Sequence, residues 1–104
     1  MFQKNLQSYE DHILKLITEQ HSREIIGCIQ EKPKSAIQIS EEIGVILSMI
    51  YRRLHKFQKY DLVKINFQIT DEGKKSYYYQ SKIDEINASY DKGNFQINLV
   101  LNQI

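Results

Sequence analysis

Residues 47–60 read LSMIYRRLHKFQKY, and within them Ile50, Leu54 and Phe57 recur at spacings of four and three. That interval marks one face of an α-helix with about 3.6 residues per turn. Advancing each residue by about 100° around the axis, with Ile50 at zero, puts Leu54, Phe57 and Leu47 within about 60° of it. Ser48, Arg52, His55, Lys56 and Lys59 fall on the far side. No acid occurs between Val45 and Tyr60, whereas a merely solvated helix face usually mixes Glu with Lys in i,i+4 pairs. The stretch predicts a helix over about 48–60 with one apolar face and one basic face.

Upstream, Ser35 followed by Gln38 is a capping-box pattern, and Ile37, Ile39 and Ile43 give the apolar positions of a short helix over about 36–43. Gly44 supplies a left-handed stop. Two helices joined by a tight Gly-containing turn form a helix-turn-helix. Before Lys32-Pro33-Lys34 a helical pattern from about Glu19 or Ser22 to Glu31 buries Ile25, Ile26, Cys28 and Ile29. Gly27 inside it costs about 1 kcal/mol relative to Ala, so close approach of a neighbouring helix is expected there. Further upstream, Leu6, Tyr9, Ile13, Leu16 and Ile17 predict an N-terminal helix over about 8–18, with Ser8 and Asp11 as its capping signal.

Downstream of Tyr60 the period changes from 3.6 to 2. Leu62–Ile69 and Ser76–Ile83 read as strands around the turn Thr70-Asp71-Glu72-Gly73-Lys74. A second hairpin over about 86–102 alternates Ile86, Ala88 and Tyr90, turns at Asp91-Lys92-Gly93-Asn94, and alternates again at Phe95, Ile97, Leu99 and Leu101. The alternation slips at Asp84-Glu85, which predicts a bulge or a break.

The chain of 104 residues carries a net charge of +1, unevenly spread. Residues 47–82 hold eight Lys/Arg against three acids, a net +5, while the segments on either side are each −2. A local basic face can hold a polyanion even when the whole chain is near neutral. The length and composition fit one domain. No apolar run approaches the about 18 residues of a membrane span, and no leader-like N-terminus precedes the first helix, so a soluble cytoplasmic protein is expected. Cys28 has no partner cysteine and reads as a core residue. No phosphate loop, dinucleotide fingerprint or paired-cysteine motif occurs, and His12, His21 and His55 lack ligand spacing. Glu41-Glu42 and Asp84-Glu85 read as solvated pairs. Neither an enzyme nor a bound metal or cofactor is expected.

An α-helix fits the major groove of B-DNA, where Arg donates two hydrogen bonds to guanine, Ser bonds to several bases and an apolar side chain touches the thymine methyl. Reading usually falls to the N-terminal half of such a helix, which makes Ser48, Met49 and Arg52 the candidate base readers. Tyr51, Arg53, Lys56 and Lys59 suit phosphates. Met49 fits equally well as the edge of the core, and Tyr51 as a ring packed on the hairpin with its hydroxyl free. Lys34 and Ser35, at the start of the preceding helix, complete the helix-turn-helix candidates for DNA contact.

The stretch Ser35–Lys75, with SMIYRRLHKFQKYDLV followed by ITDEGKK, resembles the winged-helix domain of ArsR-like and related archaeal transcriptional regulators. The likeness covers about residues 19–82, and Ser22-Arg23 with the apolar run after it resembles that family's first helix. It implies an α+β fold: a three-helix core with a β-hairpin wing, here extended by the N-terminal helix and the C-terminal hairpin. It implies double-stranded DNA as partner, a homodimer on a two-fold operator, Ser48, Met49, Tyr51, Arg52 and Arg53 on the recognition helix, and Lys74 and Lys75 as wing contacts within about 70–75. Two features depart from the family. No cysteine pair lies in 47–60, so metal sensing by that route is not expected, and Asp61 stands where many relatives have glycine.

The apolar positions outside that core, namely Leu6, Tyr9, Ile13, Ile17, Phe95, Ile97, Leu99 and Leu101, are candidates for a dimer interface. A second function class, a winged-helix module that binds proteins and not DNA, is suggested by Tyr77-Tyr78-Tyr79.

Overall fold

The computed structural model describes residues 2–102, with side chains from residue 9 onward. Four helices precede four strands: α1 (Phe2–Thr18), α2 (Ser22–Cys28), α3 (Ala36–Ile43), α4 (Leu47–Lys59), β1 (Val63–Ile69), β2 (Lys75–Ser81), β3 (Ile83–Asp91) and β4 (Asn94–Leu101). The strands form two separate antiparallel hairpins, β1–β2 and β3–β4. The architecture is α+β, and its layout is compatible with a helix-turn-helix followed by β-hairpins.

One apolar core joins the helices. Ile13 and Leu16 of α1, Ile25 of α2, Ile39 of α3, and Ile50, Leu54 and Phe57 of α4 are all buried, and Leu62, Val63 and Ile83 extend the core to the roots of the hairpins. In α3 the capping box forms as its sequence predicts: Gln38 N–H donates to Ser35 Oγ at 3.2 Å, and Ser35 N–H donates to Gln38 Oε1 at 2.8 Å. Gly44 ends the helix at φ 70°, where an L side chain would be strained, and its N–H donates to the Ser40 carbonyl. The turn is held further by Ser40 Oγ, which donates to the Val45 carbonyl. Asp61 adopts φ 59° after α4 and accepts from Lys82 Nζ at 2.8 Å, so its side chain gains a contact that a glycine would lose.

Several expectations are corrected. α1 starts at Phe2, so its helix runs through Ser8 and Asp11 and neither residue caps it. α2 stops at Cys28 instead of Glu31; the Ile29 carbonyl is taken by Ser81 N–H, and Gln30 Nε2 donates to the Ile83 carbonyl. No atom lies within 4 Å of a Cβ built on Gly27, so no neighbouring helix approaches it. Its position in the last turn of a short helix makes its conformational cost small. Cys28 is half-buried and polar in its contacts: its thiol donates to Glu42 Oε2 at 2.9 Å, and Lys34 Nζ lies 3.6 Å from the sulfur. Among the dimer candidates, Ile13 is fully buried in the core and Ile17, Ile97 and Leu99 pack against it, while the side chain of Leu6 lies outside the described residues.

The slip expected near Asp84-Glu85 is present as a register shift between Ile83 and Glu85. Lys34 pairs with Tyr79 as an isolated bridge, N–H to carbonyl at 3.0 and 2.8 Å, which covers part of the outer edge of β2. Among the described residues no helix is long and apolar enough to cross a membrane.

Candidate nucleic-acid interface

On α4, the buried face of Ile50, Leu54 and Phe57 leaves Ser48, Tyr51, Arg52, His55 and Lys59 exposed, as the helical angles predict. Met49 is half-buried against the core, which favours the edge-of-core alternative. Ser48, Tyr51, Arg52, His55 and Tyr79 line a shallow hollow of about 450 Å3 between α4 and β2.

Arg53 is the main departure. It is 7% exposed, its Nε donates to the Gln20 carbonyl at 3.0 Å, and its guanidinium pairs with Glu19 Oε2 at 2.9 Å. Burial among these partners removes it from the phosphate contacts expected of it. The sequence did contain a signal: three residues after Ile50, Arg53 lies about 60° from the centre of the apolar face, on its border. Glu19 also draws in Lys56, whose Nζ stands 3.3 Å from both carboxylate oxygens. An acid missing from α4 itself therefore comes from the turn between α1 and α2, and the basic face is narrower than the sequence implies. Arg52, Lys59, Lys74 and Lys75 form no ion pair with the described residues. Lys59 Nζ lies 5.8 Å from the Tyr60 ring centroid.

The two candidates at the start of α3 are occupied structurally. Ser35 is the N-cap. Lys34 carries the bridge to Tyr79 and pairs with Glu42 at 2.6 Å. That contact raises the Lys34 pKa, while hydrogen bonds from Cys28 and then Lys34 hold the Glu42 carboxyl below its usual value. Burial, followed by the Glu42 hydrogen bond, pushes the Cys28 thiol up.

At the tip of β1–β2, Lys74 and Lys75 are exposed, with Asp71 and Glu72 in the same turn. Lys75 Nζ sits 4.8 Å above the Phe67 ring. Sequence reading left three aromatic residues out of the site: Phe67 under Lys75, Tyr77 beside Phe67, and Tyr79 in the hollow next to Arg52. Alternation alone marks them as one strand face, but which face turns toward α4 depends on how the hairpin is rooted. Among the described residues no three His, Cys, Asp or Glu side chains come together as a metal-ligand set. No protein-family model matches the sequence, and no curated protein matches it.

Proposed function

We propose that the chain is a winged helix-turn-helix regulator of transcription that binds double-stranded DNA, with α4 in the major groove and β1–β2 as the wing on the backbone or minor groove. The observation that carries this reading is the split of α4 into a buried face and an outer face of Ser48, Tyr51, Arg52, His55 and Lys59, next to a lysine-tipped hairpin. In this reading Arg52, exposed on that face with Ser48 one turn before it, is the base reader, and Lys59, Lys74 and Lys75 serve the phosphates. Lys56 joins them only by leaving Glu19. The resemblance to ArsR-like and archaeal regulators points the same way. In this reading the protein is a non-enzymatic, cytoplasmic homodimer.

Titration of a labelled random duplex, followed by fluorescence anisotropy, tests the reading. Binding that weakens steeply between about 50 and 200 mM salt is expected, because neutralised phosphates release counterions. Absence of binding at micromolar protein and low salt overturns it. A protein-binding module is then the better reading, favoured by the exposed Ile37, Ile46 and Leu47 around the helix-turn-helix.

A further inference from the structure

A strip of aromatic side chains leads from the outer face of α4 onto one face of the β1–β2 hairpin. The register pairs Ile65 with Tyr79, Phe67 with Tyr77 and Ile69 with Lys75, so these six side chains share a face. Tyr79 opens onto the hollow it shares with Tyr51, Arg52 and His55. Burial, and then the proximity of Tyr51 and Tyr77, raises the Tyr79 pKa, which agrees with three phenols in succession. Farther out, Tyr77 is 47% and Phe67 53% exposed, with ring centroids 6.2 Å apart, and Ile69 is 66% exposed. Lys75 lies over the Phe67 ring.

Phosphate contacts need cations, and groove edges need donors and acceptors. Phosphates offer a phenyl ring nothing, and a groove takes one only at a thymine methyl or as a wedge between base steps. A duplex hides the π faces of its bases inside its own stack, whereas a single strand offers them to any aromatic surface. Tyr77 and Tyr79, same-face neighbours on β2, stand about 7 Å apart, twice the rise of about 3.4 Å per nucleotide in a duplex. That spacing suits bases drawn out of their stack. The hollow of about 450 Å3 is open to solvent and is lined by both Tyr51 and Tyr79, so a base can reach either ring there. Cations flank the strip at both ends, Arg52 by the hollow and Lys74 and Lys75 at the hairpin tip, as a polyanion requires.

We propose that the strip Tyr51, Tyr79, Tyr77 and Phe67 is a binding site for single-stranded DNA, with unpaired bases stacked on the rings and phosphates held by Arg52, Lys74 and Lys75. The proposal rests on the nucleic-acid reading of α4 and extends it to a strand that has been separated from its complement.

The test uses the full chain with a labelled single strand of about 16 nucleotides and with the duplex of the same sequence, by anisotropy at one salt concentration. The parent is expected to bind both. Replacing Phe67 and Tyr77 together by Ser should weaken single-strand binding by about 5- to 150-fold for each base unstacked and change duplex binding less than about twofold. Arg52→Ala should weaken both. Because Phe67 and Tyr77 are half exposed, the double variant is expected to keep the parent's circular dichroism at the assay temperature while melting somewhat lower, having lost a cross-strand aromatic pair; Tyr77→Leu keeps apolar bulk without a π face and should also lose single-strand affinity. The proposal is overturned if the parent binds only duplex, if both forms of DNA weaken equally in the double variant, or if Tyr77→Leu binds the single strand like the parent. Single-strand binding that depends on the rings, without any duplex binding, would sink the duplex reading and leave this one standing.

Discussion

Arg52 and Arg53 are adjacent in sequence and opposite in fate. Arg53 is enclosed by Glu19 and the Gln20 carbonyl, so Arg53→Ala should destabilise the domain by about 3 kcal/mol, measured by urea unfolding, because it leaves Glu19 with only Lys56 and removes a packed side chain. Arg53→Lys should recover only part of this, since an ammonium cannot reproduce the forked contact. Arg52→Ala, on the exposed face, should stay within about 0.5 kcal/mol of the parent in stability while losing about 1 to 3 kcal/mol of affinity for a preferred duplex. The Cys28, Lys34 and Glu42 cluster gives a pH prediction. A carboxyl held below its usual value stabilises above the ordinary range near pH ~4.3 and ceases to do so as pH falls through the lowered value. The raised Lys34 pKa acts in the opposite sense: its contribution is present below the ordinary lysine value and is lost only as pH rises through the raised one. Glu42→Gln should therefore melt below the parent at neutral pH, and the two curves should converge in acid. The same variant removes a group that raises the Cys28 pKa, so iodoacetamide should label Cys28 faster in it at pH 7 than in the parent.

Among the elements, α3 and α4 are stabilised in different ways. α3 has only eight residues and depends on its ends; Ser35→Ala should cost about 1 kcal/mol by leaving the Gln38 N–H without its acceptor. If Ser35 instead touched DNA, the loss would show in affinity at unchanged stability, which thermal melting and anisotropy on the same variant will separate. α4 has no side-chain cap at Ile46 and is held by its buried face. Leu54→Ala should cost about 2 to 5 kcal/mol through the cavity it leaves, and its DNA binding should recover on cooling to a temperature where the variant is folded. Strand periodicity placed both hairpins to within a few residues, but not the bridge from Lys34 to Tyr79. A single bridging residue has no period to read, and its partner is 45 positions away in the chain.

At the scale of the molecule, the β3–β4 hairpin is sharply two-sided. Its register puts Ile86, Ala88 and Tyr90 opposite Leu99, Ile97 and Phe95 on one face, and Asn87, Ser89 and Asp91 opposite Asn98, Gln96 and Asn94 on the other. A lone two-stranded hairpin is marginal in water, and this one is tied down by Ile83, by Ile97 N–H donating to Glu10 at 2.9 Å and by Asn102 N–H donating to the Lys82 carbonyl at 2.7 Å. Ile86, Ile97 and Leu99 of that face pack against the core, which leaves Ala88, Tyr90 and Phe95 exposed toward the tip as a patch without a charged side chain. Such a patch can meet its own copy across a two-fold axis without like-charge repulsion. The proposed homodimer should therefore give twice the chain mass of 12.4 kDa in light scattering, and Tyr90→Glu with Phe95→Glu should return the single-chain mass with the fold retained; a parent that stays at the single-chain mass at high micromolar concentration refutes it. The sequence by itself determined the order of the elements, the buried face of Ile50, Leu54 and Phe57 on α4, the Gly44 turn and the slip at Asp84-Glu85, because periodicity, caps and turn residues act over a few neighbours, whereas Ile37 and Leu47, read as apolar-face positions, are exposed. Only the tertiary structure decided which cations stay free and which aromatic face adjoins α4. Glu19 reaches Arg53 and Lys56, Glu42 reaches Cys28 and Lys34, and Tyr79 reaches the α4 hollow, through packing between elements that no local pattern encodes.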